Sequence, residues 1–292
     1  MEKSEMGSIP QDSKLEEKSQ SSSDTEELGE DEGLLFGLIS GVRMVTCFLT
    51  ILATTLIWTF IMLLLLPWPY ERARQGNYFG HVTGKLVVWI LGNTVHIEGK
   101  EYSEKRAIYV SNHASIIDMF LTMWLTPTGT VSIAKKEIVW YPLIGQLYYL
   151  SNHLRIDRSN PNAAIVSLKK AAQAVVRNNL SLILFPEGTR SKNGRLLPFK
   201  KGFVHLALQT RLPIVPIVLT GTHKAWRKGS LRVRPVHITV KYLPPIKTDE
   251  WTEDKINDYV NMVHDIFVQN LPDSQKPLSS STNDLGKAAV VS

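Results

Sequence analysis

Residues 106–120 read Arg-Ala-Ile-Tyr-Val-Ser-Asn-His-Ala-Ser-Ile-Ile-Asp-Met-Phe, and this stretch decides the fold. Residues 107–110 are β-branched and aromatic, a buried strand, whereas 116–125 are apolar over a length that suits a buried helix. Between them stand His113 and Asp118, five positions apart. On one continuous helix, residues three or four apart share a face and residues five apart do not. The pair therefore meets when His113 sits in the turn after the strand and Asp118 in the first turn of the following helix. Asp118 would then hold Nδ1 and leave Nε2 free as a general base. The same spacing also allows Ser115 and Asp118 to form a capping box, with His113 as an ordinary turn residue.

Outward from this stretch, strands and helices alternate. Strands are predicted at 95–98, 107–110, 131–134, 154–157, 182–185, 214–219 and 237–243. Helices are predicted at 115–125, 138–150, 161–177, 202–209 and 253–270, the last amphipathic. Asn160-Pro161 supplies an N-cap and first-turn proline for the third of these. The alternation predicts an α/β domain with a mainly parallel sheet flanked by helices.

The first 92 residues have a different character. Residues 1–32 hold 3 Lys and 11 acidic residues, a net −8 that leaves +14 on the other 260 positions. That tail lacks the apolar content needed to order itself, so 1–33 is expected to be disordered. Residues 44–66 carry no charge and would make a helix ~34 Å long at ~1.5 Å per residue, with Trp68, Tyr70, Arg72 and Arg74 behind it as an interfacial girdle. We read 34–92 as an N-terminal membrane-embedded helical segment. Gly37 and Gly41 leave open whether it spans or re-enters. Residues 78–91, with Lys85, suit an interfacial amphipathic helix. A catalytic domain would occupy 93–271 and a loose polar tail 272–292. The flanking Arg and Lys residues favour a cytosolic body.

So basic a body implies an anionic partner: a membrane surface, a phosphorylated substrate or nucleic acid. Nucleic acid is disfavoured, because no basic face interleaved with aromatics is evident. The single cysteine, Cys47, excludes internal disulfides and a cysteine-based zinc site, and no HExxH occurs, so no metal is expected.

A second constellation follows the strand at 182–185. Phe185-Pro-Glu-Gly-Thr-Arg190 is a sharp turn with Ser191, Lys192, Lys200 and Lys201 close behind. Such a turn can aim backbone N–H groups and a guanidinium fork at a phosphate, or it is a plain Pro-Glu-Gly turn with a solvated arginine.

Asn112-His113-x4-Asp118 and Phe185-Pro-Glu-Gly-Thr-Arg-Ser191 together resemble the NHxxxxD and FPEGTRS hallmarks of the glycerolipid acyltransferase family. Two further blocks stand in the family's order. Pro213-Ile-Val-Pro-Ile217 matches one; Leu154-Arg-Ile-Asp-Arg158 fits the other at Ile156 and Arg158 but has Asn152 and Arg155 where Gly and Phe are usual. The resemblance covers about 34–278 and is especially similar to the lysophosphatidate acyltransferases of plant endoplasmic reticulum. It implies acyl transfer from acyl-coenzyme A, as a substrate rather than a cofactor, to the sn-2 hydroxyl of lysophosphatidate (1-acylglycerol-3-phosphate), with a membrane as the other partner. It also implies His113 as base, Asp118 as its support, and a phosphate site from Arg190, Gly188, Thr189, Arg158 and Lys135, with Glu187 buttressing Arg190. Two other readings stay open: acylation of glycerol-3-phosphate or another lysophospholipid, and a non-catalytic phospholipid-binding membrane protein. Oligomeric state is not encoded in any legible feature.

Overall fold

The computed structural model describes residues 33–140, 144–151, 153–156 and 161–278. The chain divides between Val42 and Arg43 into two compact units. Among the described residues, the first is the opening of helix α1 (Leu34–Leu64) and the second holds all that follows. Of the expected tail, residues 1–33, all but Gly33 lie outside the described residues.

Helix α1 runs unbroken through Gly37 and Gly41 for 31 residues, ~46 Å at ~1.5 Å per residue. Its apolar run begins ten residues before the uncharged stretch at 44–66. Among the described residues it is the one helix long and apolar enough to cross a membrane. One side packs on the body: Cys47 and Met62 are buried, and Trp58 meets Phe79 of α2 (Pro69–Ile90) edge-on at 6.0 Å. The other side leaves Val45, Phe48, Leu49, Leu56, Phe60 and Leu63 exposed. On α2, Tyr78, Val82, Leu86 and Trp89 make a second exposed stripe at helical spacing. That helix starts nine residues before the amphipathic segment at 78–91, because Pro69 suits a first helical turn. Its inner face is cut down to glycine. A Cβ on Gly84 would lie 2.4 Å from the Phe120 carbonyl oxygen, so only glycine allows α2 to press this closely on α3 (Ile117–Leu125).

The body is a seven-stranded sheet in the order β1 (Thr94–Glu98), β7 (His237–Tyr242), β6 (Ile214–Thr220), β2 (Ile108–Ser111), β5 (Ser181–Leu184), β3 (Thr130–Lys135) and β4 (Leu154–Ile156). Every pair is parallel except β6–β7. The mainly parallel α/β architecture is therefore present. Alternate residues of β2 feed two layers. Ile108 and Val110 pack toward α5 (Pro161–Arg177), α6 (Gly202–Thr210) and α8 (Ile256–Asn270); Ala107 and Tyr109 pack toward α2 and α3. Burial on both faces is why the central strands β2, β5 and β6 read as continuous apolar runs.

Two expectations need correction. The predicted helix at 138–150 is instead a 3-10 turn, Lys136–Trp140, and a separate helix α4 (Ile144–Leu150). Pro142 falls between them; it lacks an N–H and biases the residue before it away from helix. The polar tail begins later than Pro272. Gln275 is buried, its carbonyl accepting from Leu196 N–H at 2.8 Å and its Oε1 from Gly221 N–H at 3.1 Å. Residues 279–292 lie outside the described residues.

Candidate active site

Strands β2, β5, β3 and β4 run parallel, so their carboxyl ends share one edge of the sheet. Ligands of open α/β sheets bind along such an edge. His113 follows β2, Gly188 to Arg190 follow β5, and Lys135 ends β3. Arg158, just past β4, lies outside the described residues.

His113 leaves β2 in a turn and Asp118 enters the first turn of α3, completely buried. Asp118 Oδ2 accepts from His113 Nδ1 at 3.0 Å and from the backbone N–H groups of Ala114 and Ser115, both at 2.7 Å. The carboxylate therefore serves both readings of the spacing. It orients the imidazole and also closes the turn, as a capping-box acid does. The reciprocal half of that box is shifted: Ser115 Oγ accepts from Ile117 N–H at 3.3 Å while donating to the Trp226 carbonyl at 2.7 Å. Asn112 anchors the turn from the other side, with its amide bonded both ways to the Leu219 backbone at 2.9 and 2.8 Å. With Nδ1 donating to a carboxylate, the free His113 nitrogen is Nε2, an acceptor.

The Phe185 to Ser191 turn packs directly on this loop. Phe185 stacks on the His113 imidazole at 4.1 Å and 18°. Ser191 N–H donates to the His113 carbonyl at 2.9 Å. Glu187 does not buttress Arg190. Its Oε1 accepts from His113 N–H at 2.6 Å and its Oε2 from Leu197 N–H at 3.0 Å, which ties two loops together. Burial pushes the Glu187 carboxyl up to about 8, against the two backbone donors that favour its charged form. Gly188 has φ +71°, and a Cβ there would sit 3.1 Å from Lys200 Cε. Arg190 is half-buried, Thr189 is exposed, and Lys228 Nζ donates to the Arg190 carbonyl at 2.9 Å.

His113, Gly188 and Lys200 line a cavity of about 380 Å³, within the ~300–1,000 Å³ span of small-molecule sites. Much of the remaining lining is apolar, including Phe79, Met123, Leu147, Ile156, Ile183 and Phe203. Leu147 belongs to α4, so the segment after Lys136 does supply cavity wall although it is not one helix. Lys200 and Phe185 were not among the residues singled out for the site. The basic cluster after Arg190 signalled Lys200; nothing local signals that an apolar Phe will flank a base.

The acyltransferase family model matches residues 94–220. The chain is 65% identical over 261 residues to the 1-acyl-sn-glycerol-3-phosphate acyltransferase of Cocos nucifera, covering 89% of this chain and 85% of that one. It is 64% identical to the enzyme of that name from Limnanthes douglasii, covering 86% and 89%. The Escherichia coli enzyme is 30% identical over 206 residues, covering 69% and 82%. In fold, the chain is similar to the crystal structure of the 1-acyl-sn-glycerophosphate acyltransferase PlsC from Thermotoga maritima, with TM-score 0.56, 24% identity and coverage of 76% and 94%. Identity at that level over most of both chains has one reading: this protein belongs to the 1-acyl-sn-glycerol-3-phosphate acyltransferase family.

Proposed function

We propose that this protein transfers an acyl group from acyl-coenzyme A to the sn-2 hydroxyl of lysophosphatidate, giving phosphatidate, with His113 as general base. The observation that carries this is the His113 Nδ1–Asp118 Oδ2 bond of 3.0 Å on an imidazole that lines the apolar cavity. Nε2 takes the hydroxyl proton as the oxygen attacks the thioester carbonyl. The new C–O bond forms, the C–S bond breaks, and the proton passes from the imidazolium to the leaving thiolate. Asp118 stabilises the imidazolium in between. No nucleophilic side chain is needed, since the hydroxyl attacks directly.

The cavity's apolar lining suits an acyl chain, and Lys200 among that lining suits a phosphate. Arg190, Lys135 and Arg158 are proposed from the sequence as further phosphate contacts, with Gly188 and Thr189 shaping the turn. The exposed apolar faces of α1 and α2 fit a membrane, which is where a lipid acceptor resides. The sequence resemblance and the apolar helix α1 favour the endoplasmic reticulum, and the flanking charges favour a cytosolic catalytic body.

The test is coenzyme A release from oleoyl-coenzyme A by membranes bearing wild type or His113→Ala. Release that needs lysophosphatidate and disappears in the variant supports the reading. Release that needs glycerol-3-phosphate instead, or that survives in the variant, overturns it.

A further inference from the structure

A second, polar cavity of about 380 Å³ is lined by Arg72, Tyr149, His153, Leu154 and Arg155. It presents two guanidinium groups and, among the described residues, no carboxylate. Arg72 Nη1 donates to the Leu150 carbonyl at 3.0 Å, but its Nε is buried without a hydrogen-bond partner. The Arg155 guanidinium lies 4.8 Å from the centre of the Tyr149 ring, and this cation–π contact holds the fork at the wall. His153 accepts from Ser132 N–H at Nδ1, so its proton sits on Nε2 as a third donor. Burial pushes that imidazole down to about 4, which keeps it neutral and leaves the two arginines as the charges.

Among the described residues the charged groups lining this cavity are both cationic, which favours an anion. Phosphate is the group whose oxygens match two guanidinium forks. The position argues which phosphate. Arg72 lies in the first turn of α2, where the helix dipole favours negative charge. Four residues before it is the exposed Trp68, and before that the exposed Leu63, Leu64 and Leu66 at the end of α1. Tyr149 on the opposite wall is also exposed. Apolar residues, then aromatic residues, then arginines is the order met on passing from acyl chains to headgroups.

We propose that Arg72 and Arg155 bind the phosphate of an anionic phospholipid, in a cavity that adjoins the one lined by His113 and shares His153 with it. A phosphate oxygen supplies the acceptor that Arg72 Nε lacks. Arg155 supplies the second fork, at a position where the family usually has Phe.

The test measures binding of short-chain phosphatidate to the full-length protein in detergent, without turnover, so it does not depend on the proposed reaction. Arg155→Gln is compared with its parent in an Arg190→Gln background, which weakens the phosphate site near His113. We expect Arg155→Gln to weaken phosphatidate binding about tenfold, the size of one charge-assisted hydrogen bond, with the affinity for free coenzyme A unchanged. Arg155→Lys should recover part of the loss, and an unchanged melting temperature shows that the fold survives. Unchanged phosphatidate binding in Arg155→Gln overturns the proposal. A loss confined to coenzyme A also overturns it, and assigns the cavity to the phosphates of the acyl donor.

Discussion

The backbone N–H of His113 is held by the carboxylate of Glu187 at 2.6 Å, across 74 residues of sequence. The proposed base is thus gripped twice by acids. Asp118 fixes its ring, and Glu187 fixes its main chain while the other Glu187 oxygen holds Leu197.

Glu187 gives the fold a pH dependence. Its folded value of about 8 stands above the ordinary 4.5, so the folded state binds the proton more tightly than the unfolded chain. The sign follows: this contribution is whole below the unfolded value and is lost as pH rises through about 8. The melting temperature of the wild type should therefore fall between about pH 5 and pH 8 more steeply than that of Glu187→Gln, and the difference should level off above that. Parallel slopes would show that Glu187 does not titrate in this range.

His113→Ala should lower kcat by ~10²–10⁴-fold, the usual contribution of a general base, with little change in melting temperature. Asp118→Ala should lower both, because it also strands the N–H groups of Ala114 and Ser115. Steady-state kinetics beside a melting curve separate the two outcomes.

Gly188→Ala places a Cβ in a left-handed conformation and against Lys200. A stability loss of ~1–2 kcal/mol is expected from the backbone alone. Displacement of the Lys200 ammonium should raise KM for the phosphorylated acceptor more than it lowers kcat.

Leu147→Trp should reduce the apolar space in the cavity. Rates with long acyl-coenzyme A donors should fall several-fold while short donors are spared, measured as kcat/KM across a chain-length series. An equal change for all lengths would place the acyl chain elsewhere.

The parallel sheet was legible because its central strands are buried on both faces and read as apolar runs bounded by turn residues. The His113–Asp118 pair was legible because its five-residue spacing admits few geometries, and both consequences of that spacing are present in one carboxylate. What escaped was long-range. The partners of Glu187, His113 and Leu197, lie in two other loops, so a nearby arginine looked the better guess. β7 runs antiparallel to β6 after a 16-residue connection, 221–236, that carries only the one-turn helix Thr222–Ala225, and no alternation pattern records that reversal. Gly84 reads as a weak helix residue until Phe120 is seen against it. Pro142 was visible throughout, and it should have split the segment at 138–150 on chemical grounds alone.

The docking of Gln275 has a consequence for synthesis. Its carbonyl holds Leu196 and its side chain holds Gly221, one residue past β6, while the Glu187 carboxylate grips the neighbouring Leu197. A chain still emerging from the ribosome carries His113, Asp118 and the whole sheet before it carries this fastening. The loop beside His113 is therefore completed only once Gln275 has emerged, so the His113–Asp118 pair can form before the last bonds around it close.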